Sequence, residues 1–192
     1  MAEELANFAG CTTEGRGLLD PALTALGVSQ AAALCRDLTT NTRFFDIVVT
    51  SPLTRAVQTA RAIVASGASA RVIVVSLHTE NGVPVPGDAV AGTPCQRGRA
   101  LGELKREFPD TAEWDWSRVD DAAQWTTDAA LGAAGGYFNP TRVDGRLTLF
   151  ASFVRELRAE HASVLVVGHS GFLTKFLGGE KMANCQVREK QI

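Results

Sequence analysis

Arg55, Glu80 and His169 are residues whose types and settings suit chemistry on an anion. Arg55 follows Thr50-Ser51-Pro52-Leu53-Thr54, where a β-branched run passes directly into an amphipathic one. That spacing puts it in the first turn of a helix. A helix N-terminus offers free N–H groups and partial positive charge to an anion, and a guanidinium adds a planar fork for two oxygens. A cation there opposes the helix dipole unless an anion sits between them; a surface arginine paired with a carboxylate is the structural alternative. Glu80 closes His78-Thr79-Glu80, just beyond a second β-branched run. A carboxyl group beside a bound phosphate resists ionisation and can then serve as general acid for a leaving alcohol; a solvated loop glutamate is the plainer reading. His169 lies in Gly168-His169-Ser170-Gly171, at the end of a third run. A histidine there can hold phosphate as a cation or carry a proton, or simply be a hydrogen-bonded core side chain. His161 precedes that run and is expected at the opposite, structural end.

One rival pattern overlaps the last segment. Gly168-His169-Ser170-Gly171-Phe172 nearly spells the Gly-x-Ser-x-Gly nucleophile elbow of serine hydrolases. The fifth residue is Phe, and no histidine follows residue 169 to serve Ser170. A serine hydrolase is therefore the weaker alternative.

The elements that must position these residues are legible in the patterning. Ala31, Leu34, Cys35 and Leu38 repeat at i, i+3, i+4, i+7, an amphipathic helix with Thr24 as its N-cap. Residues 46–51, 71–77 and 163–170 are short β-branched runs, as expected of strands buried on both faces. A helix follows the first run, with Ser51 as cap, Pro52 in its first turn, and Leu53, Ala56, Val57, Ala60, Ile63 and Val64 facing inward. A helix is expected near 99–107, and another after Asp144 with Leu149, Phe153 and Leu157 inward. GFLTKFL opens one more helix, and residues 184–192 read as a final strand. Alternating strands and helices with long crossovers imply an α/β fold: a three-layer α/β/α sandwich on a mostly parallel sheet. The expectation is a single domain over 1–192 with a lid-like insertion at about 78–145. In such sheets ligands sit beyond the carboxyl ends of the strands, where Arg55, Glu80 and His169 all fall.

The chain has 192 residues, 45% hydrophobic and 21% charged, with 19 basic and 21 acidic side chains. That composition excludes wholesale disorder and argues against a nucleic-acid or anionic-membrane coat. The longest apolar runs are strand-sized, too short to span a bilayer, and the N-terminus lacks a signal-type apolar stretch. Cys11, Cys35, Cys95 and Cys185 are scattered without zinc spacing, as expected of reduced thiols in a cytoplasmic protein. No metal site and no cofactor is expected.

Taken together, these segments resemble the histidine phosphatase superfamily, phosphoglycerate-mutase-like branch. Asp20-Pro21-x-Leu23-Thr24-x-x-Gly27-x-x-Gln30-Ala31 is similar to its first-helix signature. Ser51-Pro52-Leu53-Thr54-Arg55-Ala56-x-Gln58-Thr59-Ala60 resembles its second motif, and Val166-Val167-Gly168-His169-Ser170-Gly171-Phe172 its late histidine motif. Pro94-Cys95-x-x-Gly98 and Glu107-Phe108-Pro109 are similar to the lid of its plant and fungal members, with Gln96 and Arg97 where Asp and Thr are expected. Asn184-Cys185-x-Val187 resembles its closing strand.

The resemblance implies a phosphomonoesterase or phosphomutase acting through a phosphohistidine on a small phosphorylated substrate, without a metal. Arg55, His169 and Ser51 would hold phosphate, and Glu80 would protonate the leaving group. Arg97 and Arg99 in the lid would touch substrate, and Trp114, Trp116 and Trp125 would shape substrate choice or form a local apolar cluster. The family opens with a strand ending in Arg-His-Gly or Arg-His-Ala, which carries the nucleophile, and this sequence holds no such motif. That strand lies beside the one bearing the late histidine, so its loss should leave ladder groups unpaired. His78 is a poor substitute, coming from another strand. Whether the chain is an enzyme is thus open: a truncated and nearly inactive copy is expected first, a natural pseudo-phosphatase binding a phosphorylated ligand or partner second.

Overall fold

A computed structural model of the protein describes residues 18–69, 71–80, 98–119 and 140–190. The elements, in chain order, are α1 (Ala25–Thr40), β1 (Ile47–Thr50), α2 (Thr54–Ala65), β2 (Val72–Val75), a 3₁₀ turn (Ser76–His78), α3 (Leu101–Glu107), a second 3₁₀ turn (Pro109–Thr111), β3 (Asp115–Arg118), α4 (Pro140–Glu160), β4 (Val164–Val167) and α5 (Ser170–Leu177). The strands form one parallel sheet in the order β3-β2-β1-β4, so the α/β expectation holds.

Strand alternation assigns the two faces of the sheet. Ile47 and Val49 of β1, with Ile73 and Val75 of β2, pack on Phe150, Phe153, Val154 and Leu157 of α4 and Phe172 of α5. Val48 and Val72 turn the other way, onto Cys35 and Leu38 of α1 and Ala60 and Ile63 of α2. Val74 joins Leu53, Val57, Leu104, Phe108 and Trp116 beside them. Each large apolar side chain removed from water in these layers contributes about 1.5–3 kcal/mol. The Thr24 cap is as expected, its hydroxyl accepting from the Gly27 N–H at 3.1 Å.

Several details differ from the sequence reading. α2 begins at Thr54, not near Pro52: the carboxylate of Asp20 accepts from the Thr54 N–H at 2.8 Å and its hydroxyl at 2.7 Å, setting the helix start from outside the segment. Asp20 does so at φ 45°, a left-handed backbone that Asp tolerates. α4 starts at Pro140, and Leu149 is exposed because Phe150 takes the inward position. β3, pairing parallel with β2, is an element the sequence reading does not place. Among the described residues 184–190 there is no final strand: Cys185 takes φ 54° and the Gln186 side chain accepts from the Ala183 N–H, breaking the extended run.

β4 pairs with β1 alone among the described residues. Its four residues are half-buried, where those of β1 and β2 are fully buried. The third run is therefore not buried on both sides as expected; its second edge lines a cavity of about 890 Å³, lined also by residues of α1, α2 and 182–190. Among the described residues no helix is long and apolar enough to cross a membrane.

Candidate functional site

The strand register builds the site. Thr50 lies opposite Val167 across the β1–β4 pair and opposite Val74 across the β1–β2 pair. The three strands therefore end together, and the next residues emerge side by side. The Ser51 N–H donates to the Val167 carbonyl at 3.2 Å. Two residues on, His169 Nε2 lies 2.9 Å from Ser51 Oγ. Ser51 Oγ also accepts from the Leu53 N–H at 3.3 Å. Ser51 is thus a partner of the late histidine more than a helix cap.

Arg55 enters from the first turn of α2 and is buried, 6% exposed. Burial lowers its guanidinium pKa, and the charges of Glu80 and then Asp20 oppose that effect. Glu80 is buried in turn and lies against α5: an added Cβ on Gly171 would collide with Oε1 and lie 3.3 Å from the carboxyl carbon. Asp20 has its pKa raised by burial, against hydrogen bonds from Thr54 and the charges of Arg55 and Arg99.

His169 is buried and held neutral well below the ordinary imidazole range, first by burial, then by the charge of Arg55, then by His78 and Arg146. Four of the groups expected to meet here, Ser51, Arg55, Glu80 and His169, do meet, and all but Ser51 line the end of the cavity. Donors from Ser51, Arg55 and His169 thus meet the Glu80 carboxylate at the buried end of the cavity, with the Asp20 carboxylate also acting on Arg55. That end can bind a compact dianion and offer a proton at its rim.

Arg99 sits apart from this group. It bonds the Thr54 hydroxyl at 2.7 Å and pairs with Asp20 at 3.4 Å and Glu107 at 2.6 Å, tying α3 to the start of α2. Arg97 and Trp125 lie outside the described residues. Trp114 and Trp116 stack at 6.4 Å within the apolar layer, with Trp116 Nε1 donating to the Thr111 carbonyl at 3.1 Å. Ser170 Oγ donates to the Met182 carbonyl at 2.8 Å, while the adjacent imidazole bonds Ser51; the serine-nucleophile pairing is not formed. His78 is fully buried, stacked on Phe150 at 4.7 Å, with Nε2 on the Val167 carbonyl at 3.1 Å. That placement suits packing, not attack on a phosphoryl group. No grouping of three or more His, Cys, Asp or Glu side chains suited to a metal occurs among the described residues.

The sequence reading gave Asp20 and Arg146 no part in the site. Asp20 carried a signal in its Asp-Pro step before a helix; Arg146 carried none. Two glycines are closely approached by side chains. A Cβ at Gly168 would lie 2.9 Å from His78 Cδ2, a ring with no room to retreat. At Gly171 it would meet only the far end of the flexible Glu80 side chain. Gly168→Ala should therefore lower unfolding stability by about 1–3 kcal/mol and Gly171→Ala by clearly less; equal losses in urea denaturation would refute this placement.

Residues 10–77 match the model of the histidine phosphatase superfamily (branch 1). No curated protein sequence matches this chain. Among solved structures, the fold is similar to that of ecdysone phosphate phosphatase from Bombix mori in complex with tungstate, at TM-score 0.56 and 16% identity, covering 89% of this chain and 62% of that one. This chain thus spans less than two thirds of that protein's resolved chain. Mycobacterial hydrolase 1 aligns at TM-score 0.48 and 22% identity over 88% of this chain and 76% of its own. A mycobacterial glucosyl-3-phosphoglycerate phosphatase aligns at 0.48 and 21%, over 84% and 69%.

Proposed function

We propose that the pocket formed by Ser51, Arg55 and His169 binds the phosphate of a small phosphomonoester, and that the chain carries the phosphate-holding half of a histidine-phosphatase site. The observation that carries this reading is the convergence of Arg55, His169 and Glu80 at the carboxyl ends of three parallel strands, within a chain whose residues 10–77 match that family's model. Glu80 is the acid that protonates the leaving alcohol. The insertion at about 78–145 belongs to the same single domain, and Arg99 bears on the site by holding Asp20 and the start of α2.

Turnover through a phosphohistidine needs a nucleophilic histidine besides the one that grips phosphate. The sequence has three histidines. His78 is stacked in the core, His161 precedes β4 at the far end of the sheet, and His169 is engaged with Ser51. These residues alone should therefore bind phosphate with turnover near background, since losing a covalent nucleophile removes most of the rate. A protein from its natural source heavier than 20.4 kDa, with an Arg-His strand upstream, would be an active phosphomonoesterase; agreement with that mass favours a pseudo-phosphatase that reads a phosphorylated ligand.

The test of the site is calorimetry with dianions. Burial and the neighbouring cations keep His169 neutral, and a bound dianion reverses that field and favours the imidazolium. Sulfate, which does not titrate between pH 5 and 8, should bind with proton uptake onto His169 and more tightly as the pH falls. The heat in buffers of different ionisation enthalpy reads the uptake directly. Sulfate and phosphate that both fail to bind, or sulfate that binds without proton uptake in both wild type and His169→Gln, would sink the reading.

A further inference from the structure

We propose that Arg146 is a positioning residue of this site: from α4 it clamps the turn that follows β2 and so holds Glu80 against the first turn of α5. What Glu80 does there rests on the phosphate reading; the clamp itself does not.

Arg146 is buried, 4% exposed. A guanidinium in that setting is costly unless its donors are used. Its Nη1 donates to the Thr79 hydroxyl at 2.8 Å and reaches the Thr79 carbonyl at 3.3 Å. Thr79 is already folded back on its own turn, with N–H and hydroxyl both donating to the Ser76 carbonyl at 3.2 and 3.1 Å. Arg146 thus fastens the closing residue of a tight turn, and the next residue is Glu80.

The grip has two points. One helical turn along α4, Phe150 stacks on the His78 ring at 4.7 Å, the i, i+4 spacing that puts two side chains on one face. The Arg146 guanidinium lies 5.4 Å from the centre of the Phe172 ring, and Phe150 meets the same ring edge-on at 5.5 Å. α4 therefore holds residues 78 and 79 of the turn and braces both contacts on α5, the helix whose Gly171 faces the Glu80 carboxylate.

Packing alone does not call for an arginine here. An apolar side chain of similar length would fill the volume without the cost of burying a charge. It would, however, take away the Nη1 donor that the Thr79 hydroxyl and carbonyl share. The charge also bears on the site, since Arg146 is among the groups holding His169 neutral.

The test reads Glu80's position without any ligand. Glu80→Gln should move the backbone amide signals of Ser170 and Gly171 in a ¹H–¹⁵N spectrum. The same substitution is then made in Arg146→Met and in Thr79→Val, the second keeping the test decisive if the first fails to fold. If the clamp positions Glu80, the perturbation at Ser170 and Gly171 falls below about half its wild-type size in both, the non-additivity expected of coupled neighbours. Equal perturbation in all backgrounds overturns the proposal, even if the variants unfold at lower urea, because a purely structural role would cost stability without uncoupling the two residues. Phosphate is absent throughout, so a failure to bind phosphate counts against the functional reading alone.

Discussion

Arg55→Ala should abolish the thermal stabilisation that phosphate confers and weaken phosphate binding by about 100-fold or more, as expected when one member of a buried charge-assisted pair is removed. Arg55 is the buried cation between two acids, Glu80 and Asp20, and its charge also bears on His169. Alanine removes the fork that would grip two phosphate oxygens and leaves both carboxylates without that cation. The second effect is a fold cost of about 3–5 kcal/mol, the penalty for stranding buried charge. The two effects separate by experiment. Arg55→Ala/Glu80→Gln relieves part of the stranded charge and should recover stability without recovering binding, whereas Arg55→Lys should keep most of the stability and lose much of the affinity, because a lysine makes no bidentate contact. A thermal shift with phosphate in Arg55→Ala equal to that of wild type would rule Arg55 out as an anion ligand.

The parts of this architecture that could be read from the residues are those in which local pattern and burial coincide. β1 and β2 are fully buried β-branched runs, so composition alone marks them. The site residues follow from a rule of parallel sheets, that strand ends converge; once the three runs are placed, Arg55, Glu80 and His169 must gather at one edge. β3 is invisible for the opposite reason. Of Asp115–Arg118 only Trp116 is buried, so an edge strand held by one side chain leaves no alternation to find. The Asp20 cap and the Arg146 clamp span 34 and 67 positions, and no window along the chain contains both partners. Leu149 misled because a stripe at i, i+4, i+8 also fits a neighbouring phase, and Phe150, with more apolar surface to bury, took the core.

Acid should destabilise this fold well before its carboxylates are all protonated, and His78 should be a main cause. Burial pushes its imidazole down to about 4, with Arg146's charge acting the same way and the Val167 carbonyl opposing. Nδ1 has no hydrogen-bond partner among the described residues, so nothing there rewards a second proton. Above pH 6.5 the ring is neutral both folded and unfolded, and stability is unaffected. Below 6.5 the unfolded chain takes up a proton that the folded one refuses until about pH 4, and the equilibrium moves toward unfolding. The interval between 6.5 and about 4 makes the full loss about 3 kcal/mol, and roughly 2 kcal/mol of it is reached by pH 5. His169, also depressed by burial, adds in the same direction. His78→Phe keeps the stack on Phe150 but removes the titration. At pH 7 it should be less stable than wild type by about 1 kcal/mol, because the Val167 carbonyl keeps the Ser51 N–H but loses the His78 one. Between pH 7 and 5 it should lose less stability than wild type, by roughly 2 kcal/mol. The carboxylates titrate alike in both proteins and cancel in that comparison. Urea denaturation at pH 7, 6 and 5 supplies it, and parallel pH profiles for the two proteins would mean that His78 takes up its proton as readily folded as unfolded.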